Sequence, residues 1–80
     1  MDYLKKIDNI IETLAANNMN IEMERIQTLK NNSFTSTEIL LSVGYELIKM
    51  ISKPKLKQII GNDVDELLRY CKNIGLTIRE

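Results

Sequence analysis

Residues 34–53, FTSTEILLSVGYELIKMISK, carry the strongest local signal in the chain. The run from Thr35 to Glu38 fits a capping box, in which the Thr35 hydroxyl accepts from the amide of Glu38 and the Glu38 carboxylate accepts from the amide of Thr35. Phe34 and Ile39 stand on either side, at the two positions of a hydrophobic staple. We therefore predict that a helix begins here and that the capping box and the hydrophobic staple together fix its direction.

The remainder of this segment predicts a helix that is apolar over most of its surface. Its polar side chains fall in one stripe about 80° wide at about 100° per residue, and they are Glu38, Ser42, Glu46, Lys49 and Lys53. The other side chains need neighbours on several sides, so we expect this helix at the centre of the fold. Gly44 lies in the apolar arc, where a glycine costs roughly 1 kcal/mol against alanine and suggests a second helix crossing close to the backbone.

Apolar residues also recur at three- and four-residue steps before this segment, which predicts two further helices. The first is expected over about residues 3–16, with Asp2 as its N-cap and Asn17-Asn18 at its end. The second is expected over about residues 21–30, with Asn20 as its N-cap.

Two more helices are predicted after the central one. Pro54 cannot continue a helix but suits the first turn of a new one, so a short fourth helix should begin there and end at Gly61. A fifth should begin with Asp63 as its cap and end at Gly75, after which Leu76 folds back on the helix. The sequence thus predicts an all-α fold, a small irregular bundle of about five helices around a central hydrophobic helix, in a single domain of residues 1–80.

Composition limits the partners that the chain can have. It has 80 residues, 44% hydrophobic and 28% charged, as in ordinary soluble domains. Eleven Lys and Arg balance eleven Asp and Glu, which removes the broad positive field of non-specific nucleic-acid binders. One cysteine cannot form a disulfide within the chain, and no run approaches the roughly 18 apolar residues of a membrane span. We expect a cytoplasmic protein with no nucleic-acid or membrane partner.

The residues that usually carry catalysis or bind metal are scarce. Histidine is absent, so the commonest general base and the commonest zinc ligand are missing. Cys71 lies on an apolar face and is predicted to be a small buried hydrophobe. The acidic run from Asn62 to Glu66 lacks the ligand spacing and the turn glycine of a calcium loop, and helix capping explains it better. The sequence predicts no enzyme, no metal, no cofactor and no small-molecule substrate.

Two sets of residues could bind a protein. Tyrosines beside carboxylates suit an interface with a basic protein, since the tyrosine ring supplies contact area and its hydroxyl stays wet. The resulting candidates for partner binding are Glu38, Tyr45, Glu46, Asp63, Asp65, Glu66 and Tyr70. The alternative for the tyrosines is that their rings pack inward. The second set is the basic run from Lys49 to Lys57 beside Pro54, which could instead be a solvated helix junction.

The stretch from Phe34 to Leu41, continuing into Val43 to Leu47, resembles segments of small helical immunity proteins that are encoded beside bacterial polymorphic toxins, including those of contact-dependent growth inhibition systems. The resemblance is confined to this part of the chain. It implies a small, cytoplasmic, non-enzymatic protein that binds a cognate toxin domain and covers its active site. Many nuclease inhibitors of this kind are acidic, whereas the net charge here is zero.

Two other functions fit the same predicted helices. Helices four and five, separated by Gly61-Asn62, have about the length of a helix-turn-helix unit, which would make the chain a DNA-binding regulator. The acidic start of the fifth helix, with Asp63, Asp65 and Glu66, would repel phosphates and argues against this. A helical adaptor or structural subunit is the second alternative.

Overall fold

The chain forms four α-helices in the computed structural model, which describes residues 1 to 78. They are α1 (Tyr3–Ala16), α2 (Asn20–Asn31), α3 (Ser36–Ile51) and α4 (Pro54–Asn73). The predicted all-α class is confirmed. Residues 79 and 80, the end of the predicted domain, lie outside the described part of the chain.

Local capping chemistry sets the ends of α1 as predicted. The Asp2 side chain accepts from the amide of Lys5 at 3.1 Å. Asn18 takes the left-handed conformation with φ of 61°, and the amide of Met19 then donates to the carbonyl of Leu14 at 2.9 Å. This is the C-terminal motif that an asparagine can form, because its short polar side chain tolerates positive φ. Asn20, predicted to cap α2, is instead its first residue, and Met19 precedes it without a side-chain cap.

The predicted start of α3 is half right. The Thr35 hydroxyl accepts from the amide of Glu38 at 3.1 Å, but the Glu38 carboxylate accepts from the amide of Phe34, at 3.4 Å, rather than from that of Thr35. The hydrophobic staple is wrong, since the Phe34 side chain is 92% exposed while Ile39 packs against the core. Capping alone therefore holds this helix start, and the Phe34 ring is left in solvent.

The fourth and fifth predicted helices are one continuous helix, α4. Gly61 is buried within it, and Asp63 caps nothing. The buried stripe explains why the helix continues, because its members keep spacings of three and four residues on both sides of the glycine: Leu56, Ile60, Val64, Leu67 and Cys71. Burial of that stripe outweighs the roughly 1 kcal/mol that a mid-helix glycine costs. The predicted end of α4 is confirmed, as Gly75 has φ of 86° and the amide of Leu76 donates to the carbonyl of Cys71 at 2.8 Å.

The helices pack as a closed ring in which each contacts two others. Within residues 1–78 the contacting pairs are α1 with α2, α2 with α3, α3 with α4, and α4 with α1. Tyr3 near the start of α1 meets Tyr70 near the end of α4, so these two helices run antiparallel. Arg25 of α2 meets Glu46 of α3. The predicted small helical bundle is confirmed, with four helices rather than about five, and α3 packs between α2 and α4.

The core lies along the middle of the ring. All four helices contribute its buried apolar side chains, which are Ile7, Ile10, Leu14, Ile26, Leu40, Val43, Leu47, Met50, Leu56, Ile60, Val64, Leu67 and Cys71. Gly44 is also buried, and a Cβ built on it would overlap Cδ1 of Ile78. The close approach predicted at Gly44 is therefore made by the segment that follows α4, and not by a crossing helix.

Candidate protein-binding surface

Helix α3 is turned away from the orientation that its polar stripe predicts. Glu46, inside the stripe, is buried, whereas Leu41 and Tyr45, outside it, are 39% and 42% exposed. On a helix with 3.6 residues per turn, these positions correspond to a rotation of about 60°. The rotation places apolar side chains in solvent and a carboxylate inside, which is the opposite of what solubility alone would favour.

The exposed side of α3 forms a continuous surface, here called the α3 face, that consists of Glu38, Leu41, Ser42, Tyr45 and Lys49. Leu41 and Tyr45 lie one turn apart and form its apolar middle. A shallow depression of about 550 Å³ lies over this surface, with Ser33 and Ile78 at its borders. The exposed Phe34 is the residue between Ser33 and the α3 cap. This depression is open rather than a closed pocket, so it suits the surface of another macromolecule better than a small molecule.

The α3 face is charged at its two ends. Glu38, in the first turn, is exposed apart from its contact with the amide of Phe34. Lys49, in the last turn, has its Nζ 5.3 Å from the centroid of the Tyr45 ring and 3.5 Å from Oε2 of Glu46. A cation at this distance from an aromatic face is held by the quadrupole of the ring. The face is therefore acidic at its N-terminal end, apolar in the middle and basic at its C-terminal end.

Glu46 was predicted to face solvent as a partner-binding carboxylate, and its exposure was predicted wrongly. Its side chain is 11% exposed, and its Oε1 accepts from Nη1 of Arg25 on α2 at 3.0 Å. Because a buried carboxylate needs a partner, the ion pair with Arg25 makes this orientation of α3 tolerable. Glu46 thus joins α3 to α2 and lies beside the α3 face rather than on it.

Asp63 and Glu66 lie on a different side of the ring, where α4 packs on α1. Lys6 of α1 donates to Asp63 at 3.2 Å and to Glu66 at 2.5 Å. The hydrogen bond that Lys6 donates to Glu66, followed by the one that it donates to Asp63, raises the pKa of Lys6 above its ordinary value. The same hydrogen bond with Lys6 lowers the pKa of Glu66. These two carboxylates therefore hold α4 to α1 and are partly neutralised by Lys6.

The two remaining candidates also belong to α4. Tyr70 is half-buried and stacks on Tyr3, with ring centroids 6.1 Å apart and an angle of 16° between the planes. The Tyr3 hydroxyl donates to Oγ of Ser36 at 2.8 Å, so this pair closes one end of the ring. Asp65 is exposed on α4. Of the seven predicted residues, the structure brings Glu38 and Tyr45 together on the α3 face, and the four on α4 lie elsewhere.

Sequence reasoning missed Phe34 and Leu41, which contribute exposed apolar area at and beside the α3 face. Phe34 carried a signal for a staple, and nothing in the sequence showed that the capping bonds would form without it. Leu41 carried a detectable signal, since it lies three residues after Glu38 and four before Tyr45, on the same side of a helix. The basic run is also exposed, at Lys49, Lys53, Lys55 and Lys57.

The described residues contain few groups that could support other chemistry. Cys71 is buried, as predicted, and burial raises the pKa of its thiol, which disfavours the reactive thiolate. No three His, Cys, Asp or Glu side chains between residues 1 and 78 are arranged to hold a metal ion. None of the four helices is both long enough and apolar enough to cross a membrane.

The chain was compared with models of protein families, with curated proteins and with solved structures. None of the three comparisons gave a match.

Proposed function

We propose that this chain is a non-enzymatic protein-binding module and that the α3 face is its contact surface. The observation that carries the proposal is the rotation of α3, which exposes Leu41 and Tyr45 and buries Glu46. Departures of this kind from the pattern that stability favours are expected where a surface is kept for function. Phe34, with 92% of its side chain in solvent, extends the exposed apolar area at one end.

The chemistry of the α3 face suits a protein partner. Phenylalanine and tyrosine bring large contact areas at a small cost in side-chain entropy, and such aromatic anchors dominate the binding energy of many interfaces. Glu38 and Lys49 would form part of a polar rim around Leu41 and Tyr45. Contact centred here would be mainly apolar, with charges that guide orientation more than affinity.

We further propose that the partner is a toxin domain and that the chain is an immunity protein acting in the cytoplasm. This step is supported by the resemblance of the segment from Phe34 to Leu47 to small helical immunity proteins, because that segment includes both Phe34 and most of the α3 face. A toxin domain bound there would leave Asp63, Glu66 and Tyr70 outside the contact. The partner need not be strongly basic, since Glu38 is the one carboxylate of the predicted set on this face.

A helix-turn-helix regulator is not the function that we propose. That alternative needs a turn at Gly61-Asn62, and both residues lie inside α4. The acidic residues Asp63, Asp65 and Glu66 then lie along the middle of a single helix, where they would face phosphates with no separate recognition helix.

The proposal is tested by binding kinetics with the product of the neighbouring gene, which we expect to carry the toxin domain, immobilised on a surface. Tyr45→Ala and Phe34→Ala should each speed dissociation about tenfold or more, as expected for aromatic anchors. Leu4→Ala is the matched control, because Leu4 is 38% exposed and lies on α1, which packs against α2 and α4 rather than against α3. Unchanged dissociation rates for both aromatic variants, in folded protein that still binds the toxin domain, would rule out the α3 face.

A further inference from the structure

The charges and the apolar side chains of the α3 face are complementary to a second copy of the same face. Glu38, Leu41, Tyr45 and Lys49 lie within an arc of about 80° on α3. Glu38 and Lys49 are separated by about 16 Å along the helix axis at 1.5 Å per residue. An antiparallel second copy of α3 would place an acidic end against a basic end at both ends of the contact.

The same symmetry axis also aligns the apolar residues. A two-fold axis midway between Glu38 and Lys49 passes between Val43 and Gly44 in the sequence. Along the helix axis, this symmetry leaves an offset of only about 1.5 Å between Leu41 of one copy and Tyr45 of the other. A closed two-fold interface repeats every contact, so one register forms two ion pairs and two contacts between leucine and tyrosine.

We infer that free copies of this chain pair through the α3 face as an antiparallel, two-fold symmetric dimer. A partner that complements the α3 face needs a basic, an apolar and an acidic region in that order opposite Glu38, Tyr45 and Lys49. A second copy of the chain, turned antiparallel, supplies this order. One helix face of about 24 Å is short for a permanent dimer, so the association is weak and reversible. The inference takes its choice of surface from the proposed function, and it makes dimer formation and partner binding mutually exclusive.

Sedimentation equilibrium at low ionic strength, from micromolar to millimolar protein, tests for the dimer. The apparent mass should rise with concentration from that of one 9.3 kDa chain toward that of two. Tyr45→Ala should weaken association about tenfold or more, since it removes the aromatic contact twice. A single-chain mass at every concentration would overturn the inference.

Reversing the charges tests the register. Glu38→Lys or Lys49→Glu alone replaces two attractive contacts by two repulsive ones and should weaken the dimer about tenfold at low salt. The double variant restores both pairs across the two-fold axis, so its dimer should return to within about threefold of the original. A double variant as weak as the single variants would overturn the antiparallel register. Lys5→Glu with Glu12→Lys on α1 is the control for altered charge, and it should leave the dimer unchanged.

Two further measurements keep this inference separate from the proposed function. Circular dichroism must show that each variant is folded, because Glu38 contacts the amide of Phe34 and Lys49 contacts Glu46. The double charge variant should form dimers but bind the toxin domain more weakly, since the charges of that domain are not exchanged. A chain that binds the toxin domain and never dimerises overturns the inference alone, and a chain that dimerises and binds no toxin domain overturns the proposed function alone.

Discussion

Replacing Gly61 by alanine is expected to stabilise the protein, although this glycine is buried. Gly61 lies in the interior of α4. Leaving out the neighbouring backbone, a Cβ added at Gly61 would meet one heavy atom among the described residues, which is Cγ of Lys57 at 3.3 Å. Lys57 is exposed, so its side chain can move by the small distance required. Alanine is favoured over glycine within a helix by about 0.8 to 1.0 kcal/mol, which leaves a net gain of about 0.5 to 1 kcal/mol in the free energy of unfolding.

Thermal unfolding followed by circular dichroism measures the effect. For a chain of this size the gain corresponds to a rise in Tm of roughly 2 to 8 °C. Gly75→Ala is the matched control, because Gly75 has φ of 86°, a conformation that costs other residues about 1 to 2 kcal/mol. The Tm of the Gly75→Ala variant should therefore fall. If Gly61→Ala lowered Tm as much as Gly75→Ala does, the helix would end at Gly61 and a continuous α4 would be refuted.

Three further outcomes are expected. Leu47→Ala, a truncation in the core, should lower the free energy of unfolding by about 2 to 5 kcal/mol in chemical denaturation, and a neutral effect would mean that α3 buries another side. Lys6 lowers the pKa of Glu66 in the folded protein, so their contact stabilises the protein at pH values above the unfolded-state pKa of Glu66, near 4.5. This stabilisation is lost as the pH falls through the lower, folded-state pKa of Glu66. Lys6→Met should therefore raise the Glu66 titration midpoint measured by NMR, and an unchanged midpoint would contradict the contact. Binding to random duplex DNA should be undetectable by fluorescence anisotropy at micromolar protein and physiological salt. Micromolar affinity with a steep salt dependence would instead favour a DNA-binding regulator.

Helix ends were predictable where a single residue supplies the hydrogen bond or the backbone conformation that the end requires. Asp2 and Thr35 accept the free amides of a first turn, and Asn18 and Gly75 take the positive φ that ends a helix. Gly61 gave the same type of signal but lies in a helix whose apolar stripe continues past it. The stripe was visible in the sequence, and comparing its spacing with the local stop signal would have favoured one helix over two.

The candidate surface was predictable only in part because the rotation of α3 is set by its neighbours. The polar stripe of the helix correctly placed Glu38 and Lys49 in solvent. It could not show that Arg25 on α2 would offer Glu46 an ion pair, or that Ile78 would fill the space beside Gly44. Both contacts join residues far apart in the chain, and together they favour the orientation in which Tyr45 is exposed.

The ring of helices has a consequence for how the protein folds and unfolds. Three of its contacts join helices that follow one another in the chain, and the fourth, between α1 and α4, joins distant segments. Forming that last contact requires closure of the longest loop, so the consecutive pairs can form first and quickly. The stack of Tyr3 on Tyr70 would then be absent from the folding transition state. In stopped-flow kinetics, Tyr70→Ala should speed unfolding and leave the folding rate almost unchanged, so that the α1–α4 contact sets the lifetime of the folded chain rather than the time it takes to fold.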